Sequence, residues 1–169
     1  ILVINNIGFI KNFIFQKGMN KMNLIAGVLI KKLNLIPDDR GYLMELLRND
    51  WPEFMNFAQS YITACYPGVI KAWHYHKIQW DHFICLQGMA KVVLYDPREQ
   101  SLTLGKINVF HMGTLNPVLV RIPPYVYHGF TAEGPATTLI INFPSELYNY
   151  KQPDEYRVPY NHSSIPYSW

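Results

Sequence analysis

Two histidines and an aspartate lie close together in one apolar stretch of the chain. His74 and His76 are one residue apart, and Asp81 follows near the point where the chain turns back. Since successive strand side chains point to opposite faces, both histidines share a face with Ala72. The other face is predicted to carry Lys71, Trp73 and Tyr75. Paired imidazoles in an apolar strand are unfavourable without partners, so this stretch predicts a functional site.

A third histidine, His128, follows the Pro123-Pro124 pair and is a candidate to join the cluster. Three imidazoles and one carboxylate suit a divalent transition metal such as Fe, Mn, Ni or Zn, which gives four candidate ligands: His74, His76, Asp81 and His128. Without metal, the same imidazoles can act as general acids or bases near neutral pH. The residues alone are compatible with both kinds of site.

Short strands with turns between them must position these side chains. Two strands are predicted within 68–88, and the others cover residues 27–36, 42–48, 59–65, 89–95, 105–111, 118–122, 127–131 and 137–143. Segments such as Pro37–Gly41 and Asp96–Glu99 have turn chemistry. Strands at this spacing favour a sandwich or small barrel.

Two segments depart from the strand pattern. Asn49 or Asp50 can cap a short helix that reaches Phe57, with Pro52 tolerated in its first turn. Residues 144–169 are rich in proline, tyrosine and asparagine. We expect this irregular tail to wrap the barrel without forming a strand, its tyrosines covering apolar surface.

The chain length of 169 residues suits one well-buried domain, which we assign to residues 22–169. Residues 1–21 are treated as a separate N-terminal extension. Its apolar part precedes its basic residues without a small-residue cleavage site, which is atypical of a signal peptide, and it is too polar to span a membrane.

Charge and cysteine content narrow the class of protein. The net charge of +3 is spread along the chain, so no clustered basic face predicts nucleic-acid binding. Cys65 and Cys85 lie in apolar runs, and they are predicted to be buried free thiols of a cytoplasmic protein.

The central stretch also has the spacing of a known motif. Gly68, His74, His76, Asp81 and Gly88 follow the first cupin motif, and Pro123 and His128 match part of the second. More specifically, the chain resembles the dTDP-4-dehydrorhamnose 3,5-epimerase family of cupins over roughly residues 25–169. The matching segments are Asp39-Arg40-Gly41, Gln59-Ser60-Tyr61, Asp96-Pro97-Arg98, Leu104-Gly105-Lys106 and Pro123-Pro124-x-x-x-His128. The resemblance implies an all-β double-stranded β-helix, or jelly-roll barrel.

The resemblance implies a function as well. The substrate would be a dTDP-linked 4-keto-6-deoxyhexose of deoxysugar biosynthesis, from which His74 removes a proton next to the ketone, without a cofactor. Residues matching the family's nucleotide-sugar site are Arg40, Glu45, Gln59 and His128. Lys71 and Lys77 are added as binding groups, because an anionic ligand at the barrel mouth needs cations. Family members exchange N-terminal strands, which implies a homodimer.

Several departures from the family pattern leave more than one function open. Lys71 stands where the family has arginine, Asp81 replaces a phosphate-contacting lysine, and Ile140 and Ile141 occupy the strand of the catalytic tyrosine. The His74-Tyr75-His76-Lys77 stretch also resembles the sugar 3,4-ketoisomerases, which implies that both histidines transfer protons. A metal-dependent cupin with an unknown small substrate and a sugar-binding cupin without catalysis also fit these departures.

The chain has three further histidines outside these motifs. His82, His111 and His162 have no partner in the motifs described above, so they are interpreted as structural or surface residues.

Overall fold

The computed structural model describes residues 24–169, so the predicted extension over residues 1–21 lies outside the described residues. Every regular element among the described residues is a β-strand. In chain order they are β1 Leu29–Lys32, β2 Leu35–Asp38, β3 Gly41–Met44, β4 Tyr61–Cys65, β5 Ile70–Tyr75, β6 Asp81–Gln87, β7 Met89–Tyr95, β8 Ile107–Gly113, β9 Val118–Ile122, β10 Tyr127–Glu133, β11 Thr138–Asn142 and β12 Tyr156–Arg157.

Two five-stranded antiparallel sheets enclose the main core. One sheet has the order β1-β9-β6-β11-β4 and the other has the order β12-β5-β10-β7-β8. Their inward side chains meet in one apolar cluster that includes Phe83 and Ile140 from the first sheet and Val92 and Phe110 from the second. This is the double-sheet, all-β jelly roll that the resemblance implied, and it agrees with the sandwich or small barrel that the strand spacing predicted.

The predicted helix over residues 49–57 is wrong. The Asp50 carboxylate accepts two hydrogen bonds from the Arg48 guanidinium, at 2.8 Å each. It is therefore not bound to the amides that a helix cap would satisfy. The segment instead forms turns, in which the amides of Trp51 and Phe54 bond to carbonyls three residues earlier.

The tail differs from the prediction in one respect. It covers the barrel as expected, with Trp73 packed against Tyr167 and Trp169. However, Tyr156–Arg157 forms the edge strand β12, which pairs with β5 so that Tyr156 lies opposite Tyr75. The tail therefore adds hydrogen bonds to the strand that carries His74.

Two strands near the N-terminus have bounds that differ from the predicted ones. The predicted strand over residues 27–36 is divided between β1 and β2, and the one over 42–48 ends at Met44. Cys65 and Cys85 are buried free thiols, as predicted. No helix within residues 24–169 is long and apolar enough to cross a membrane.

Candidate active site

A cavity of about 1190 Å³ opens beside β4, β5 and the start of β6, with the tail along its rim. Its lining combines imidazole, phenol, amide and ammonium groups with apolar side chains, as expected for a ligand site. Its polar and charged lining residues include Gln59, Tyr61, Lys71, His74, His76, Lys77, Gln79, Asp154 and Arg157.

The pairing of β5 with β10 brings the distant histidines together. His74 and His128 are direct partners in the register, and their ring centroids are 3.9 Å apart. Between His74 and Lys71 the register shifts, so β5 carries one more residue than β10. This β-bulge explains why the strict alternation predicted for Lys71 is wrong. The Lys71 ammonium reaches Thr63 of β4, at 2.6 Å, instead of following Trp73 to the outer face.

Asp81, the first residue of β6, is the centre of the histidine cluster. Its Oδ2 lies 3.2 Å from His76 Nε2 and 3.0 Å from His128 Nε2. Its Oδ1 accepts hydrogen bonds from the side-chain amides of Gln79 and Asn142, each at 2.7 Å. The buried Asp81 carboxylate therefore connects His76 with His128.

The outer nitrogens of two histidines are held by the backbone. His76 Nδ1 contacts the Asp154 carbonyl, and His128 Nδ1 lies 3.0 Å from the Val126 carbonyl. The Asp154 carboxylate also accepts the amides of Lys77, Ile78 and Gln79, which make up most of the loop between β5 and β6. The tail thus fixes the loop that carries His76.

Burial and neighbouring charges give the clustered groups different pKa values. Burial, assisted by His128, holds the pKa of His74 well below its usual range, so His74 is a neutral imidazole. For His76, burial acts in the opposite direction, but the Asp81 carboxylate prevails and raises the pKa to about 9. Although burial opposes it, contact with His128 and His76 holds the pKa of Asp81 well below its usual range.

Tyr61 is a member of the site that sequence reasoning did not single out. It lies opposite Asn142 in the β4–β11 register, and its hydroxyl oxygen accepts a 2.9 Å hydrogen bond from Asn142 Nδ2. Burial, with the Asp81 charge, raises the pKa of Tyr61 to about 12. The side chain is therefore a neutral phenol that lines the same cavity as His74. The Gln59-Ser60-Tyr61 match was the only signal for it, and the register with Asn142 was not visible in the sequence.

The structure divides the other predicted binding residues into two groups. Gln59, Lys71 and Lys77 line the cavity. His128 is buried behind His74 and does not line it. Arg40 and Glu45 do not line the cavity, and both are exposed. Arg40 forms an ion pair with Asp38, and Glu45 forms one with Arg48.

The three remaining histidines contact protein groups outside the cluster. Those contacts join His82 to the carbonyls of Phe143 and Glu53, His111 to Glu133, and His162 to Ser164. These contacts agree with the structural or surface roles predicted for them.

Comparison with known proteins gives the family. The family model for dTDP-4-dehydrorhamnose 3,5-epimerase matches residues 23–169. The chain therefore belongs to this family. It is 44% identical over 147 residues to the probable low-salt glycan biosynthesis epimerase Agl13 of Haloferax volcanii, covering 86% of this chain and 94% of that protein. It is also 44% identical over 146 residues to the spore coat polysaccharide biosynthesis protein SpsL of Bacillus subtilis, covering 86% of this chain and 97% of SpsL.

Solved structures agree with this assignment. A dTDP sugar isomerase from Desulfovibrio desulfuricans G20 is similar with a TM-score of 0.81 and 34% identity, over 86% of this chain and 92% of that one. A dTDP-4-dehydrorhamnose 3,5-epimerase from Elizabethkingia anophelis has a TM-score of 0.74 and 25% identity, over 86% and 82% of the two chains. The family and its members identify this chain as a carbohydrate epimerase of sugar or polysaccharide biosynthesis.

Proposed function

We propose that the protein epimerises a dTDP-linked 4-keto-6-deoxyhexose by moving a proton next to the ketone, with His74 as the base. The observation that carries this proposal is a neutral imidazole in a large, partly polar cavity of a family of sugar epimerases. The ketone acidifies the neighbouring C–H bond, so a positioned imidazole can remove that proton and leave an enolate. Return of a proton to the other face of the carbon inverts the centre.

Tyr61 is the proton donor in this proposal. Asn142 donates to the Tyr61 oxygen, so the phenol hydrogen stays available for the ligand in the cavity. A phenol whose pKa is about 12 keeps its proton at neutral pH and can give it to an enolate carbon. Ile140 and Ile141 occupy the strand of the family's tyrosine, and Tyr61 lies on β4, the strand paired with it.

His76 is the second acid–base group of the proposal. It lies in the cavity wall with its ring centroid 5.6 Å from that of His74. The Asp81 carboxylate favours its protonated form, which can stabilise negative charge on the ketone oxygen as the enolate forms. This role differs from that of His74, because burial holds His74 in the neutral form.

Cationic and amide groups near the cavity mouth support an anionic ligand. Lys71 and Lys77 both line the cavity, as does Arg157, which was not predicted. We assign these residues to the diphosphate and Gln59 to the sugar or nucleotide. A diphosphate is recognised by such cations, and the Arg157 guanidinium can contact two phosphate oxygens at once.

A homodimer is part of the same proposal. Strands β2 and β3 pair only with each other among the described residues, and they expose Ile36, Tyr42 and Leu43. An exposed apolar hairpin favours a second copy of the chain as its partner. Exchange of this hairpin between the two copies would carry Arg40 and Glu45 toward the partner's cavity. Light scattering on the purified protein should give twice the chain mass, and Ile36→Lys with Leu43→Lys should give a monomer.

We also assign the protein to the cytoplasm, where thiols are kept reduced. Both cysteines are free and buried rather than paired.

The proposed reaction is tested by incubating the protein with dTDP-4-keto-6-deoxyglucose and reading the product's ring stereochemistry by NMR. Inversion next to the ketone is the expected result. The matched control is the same nucleotide sugar with the ketone reduced to a hydroxyl, which lacks an acidified C–H bond. No inversion of the keto sugar, or equal inversion of both compounds, contradicts the proposal.

A further inference from the structure

The geometry points to Asn142 as the positioning residue that directs the hydroxyl hydrogen of Tyr61 into the cavity. Because this role rests on the proposed function, it concerns the proton that Tyr61 returns to the enolate. Asn142 ends β11, where it pairs with Tyr61 of β4 on one side and with Phe83 of β6 on the other. Its side chain is fully buried and does not line the cavity. Any effect of Asn142 on the ligand is therefore transmitted through its neighbours.

The orientation of the Asn142 amide is fixed by the groups around it. The backbone N–H of His82 lies 2.9 Å from one end of the amide, and a backbone N–H can only donate. That end is therefore the carbonyl oxygen, Oδ1. The other end lies 2.7 Å from Asp81 Oδ1, a carboxylate oxygen that can only accept, so the NH₂ group is there. A reversed amide would place an oxygen against the carboxylate and the NH₂ group against another N–H.

Both hydrogens of the Asn142 NH₂ group are used in hydrogen bonds. One is donated to Asp81 Oδ1, and the other is donated to the Tyr61 hydroxyl oxygen at 2.9 Å. An amide NH₂ group donates and does not accept, so the hydrogen of Tyr61 cannot point at it. Within residues 24–169, Asn142 is the hydrogen-bond partner of that hydroxyl. The Tyr61 hydrogen is thus left for a group in the cavity, which Tyr61 lines.

The same hydrogen bond favours the charge that proton donation creates. When Tyr61 gives its proton to the enolate carbon, a phenolate oxygen remains, and it regains a proton from water. Burial and the Asp81 charge raise the pKa of Tyr61 and oppose this phenolate, whereas the hydrogen bond from Asn142 acts to lower the pKa. An N–H donor stabilises the ionised form of the group that accepts its hydrogen. Asn142 therefore both aims the hydrogen and stabilises the oxygen left behind.

Asn142→Asp should reverse the hydrogen bond to Tyr61. The aspartic acid side chain has the same shape, but an oxygen replaces the NH₂ group between Asp81 and Tyr61. Two carboxyl groups in contact cannot both ionise, so the new group keeps a proton and donates it to Asp81. The same oxygen then accepts the hydrogen of Tyr61. The phenol hydrogen is thereby turned away from the cavity.

The test compares inversion of dTDP-4-keto-6-deoxyglucose with its deuterium uptake from heavy water, for the wild type, Asn142→Asp and Tyr61→Phe. We expect Asn142→Asp to lower the ratio of inversion to uptake by about tenfold or more, because proton removal by His74 continues while donation fails. The double variant should have the same ratio as Tyr61→Phe, because both substitutions remove the same donor. Asn161→Asp, at an exposed position outside the cavity, is the matched control.

The ratio separates positioning from a structural role, which would slow inversion and uptake together and leave their ratio unchanged. A wild-type ratio in Asn142→Asp overturns the inference, and so does a double variant whose ratio is well below that of Tyr61→Phe. Circular dichroism checks that each variant folds. Wild-type protein that neither inverts nor exchanges the keto sugar contradicts the proposed function instead.

Neutron diffraction from crystals of the ligand-free wild type in heavy water tests the hydrogen positions without any substrate. We expect the Tyr61 deuterium to point into the cavity, and the two Asn142 deuteriums to point at Asp81 Oδ1 and the Tyr61 oxygen. A Tyr61 deuterium directed at Asn142 overturns the inference even if the protein epimerises the sugar. This measurement also decides the matter if Asn142→Asp does not fold.

Discussion

Two buried aspartates in this barrel have opposite surroundings. Asp96 follows β7, and both of its oxygens are covered by donors from Arg98, Ser101 and Thr103 at 2.6–2.9 Å. Asp81 starts β6, and only its Oδ1 has amide donors, whereas its Oδ2 faces imidazole nitrogens. The first carboxylate is held by donors of its own turn, whereas one oxygen of the second contacts the histidines of the candidate active site.

The neighbours of the two carboxylates show the same contrast. The Asp96 cluster ties the turn after β7 to residue 26, since the Arg98 guanidinium also donates to the Ala26 carbonyl at 2.8 Å. The Asp81 cluster lies behind a cavity and is linked to Tyr61 through Asn142. We therefore expect substitutions near Asp96 to change stability and substitutions near Asp81 to change activity.

The largest expected effect is that of His74→Asn on catalysis. Loss of the base should lower kcat by about 10²–10⁴-fold, because asparagine cannot accept a proton near neutral pH. Steady-state assays on dTDP-4-keto-6-deoxyglucose measure this change, with His111→Gln as the matched histidine control. A His74 variant within about tenfold of the wild-type rate contradicts the assignment of the base.

Tyr61→Phe should have the next largest effect. Without the phenol proton, inversion should slow by about 10²-fold, whereas proton removal by His74 continues. The measurement compares product formation with deuterium uptake into recovered substrate in heavy water. Tyr66→Phe, an exposed tyrosine outside the cavity, is the control. Equal inversion rates for Tyr61→Phe and the wild type would remove Tyr61 from the mechanism.

Asp96→Asn should lower the stability of the protein without changing its activity. Breaking a buried, hydrogen-bonded ion pair leaves Arg98 uncompensated and costs about 3 kcal/mol of unfolding free energy. Urea unfolding measures this loss, and kcat per folded molecule should be unchanged. If Asp96→Asn is as stable as the wild type, the contrast between the two aspartates fails.

The smallest expected effect is the acid dependence of the Asp96 cluster. Burial opposes ionisation, but bonds from Arg98, Ser101 and Thr103 lower the pKa of Asp96 to about 2. Because the folded pKa is below the unfolded value of 3.8, the contribution is complete above about pH 4 and is lost as the pH falls through about 2. It amounts to about 2 kcal/mol.

The difference in unfolding free energy between wild type and Asp96→Asn should therefore shrink as the pH falls from 4 to 2. Urea unfolding at several pH values measures it. A difference that does not change with pH would contradict the shifted pKa.

The sequence predicted much of this molecule where the information was local. Alternating apolar residues and turn residues marked β7 and β9 at their observed bounds. The His74-x-His76 spacing placed both histidines on the cavity side. The helix over residues 49–57 was predicted wrongly, because capping preference cannot show that Arg48 takes the Asp50 carboxylate.

The rest of the site depends on pairings between distant residues. Tyr61 enters the site through its register with Asn142, and Asp154 reaches the loop after β5 from the tail. No local pattern specifies either contact. The bulge on β5 likewise depends on pairing with β10, and it moved Lys71 to the cavity side.

The most direct test of the central claim, that His74 removes a proton next to a ketone, is deuterium uptake from heavy water into dTDP-4-keto-6-deoxyglucose, followed by mass spectrometry. We expect uptake at a carbon flanking the ketone with the wild type and with Tyr61→Phe, and a loss of about 10²-fold or more with His74→Asn. No uptake with the wild type, or the same rate with His74→Asn, would contradict it.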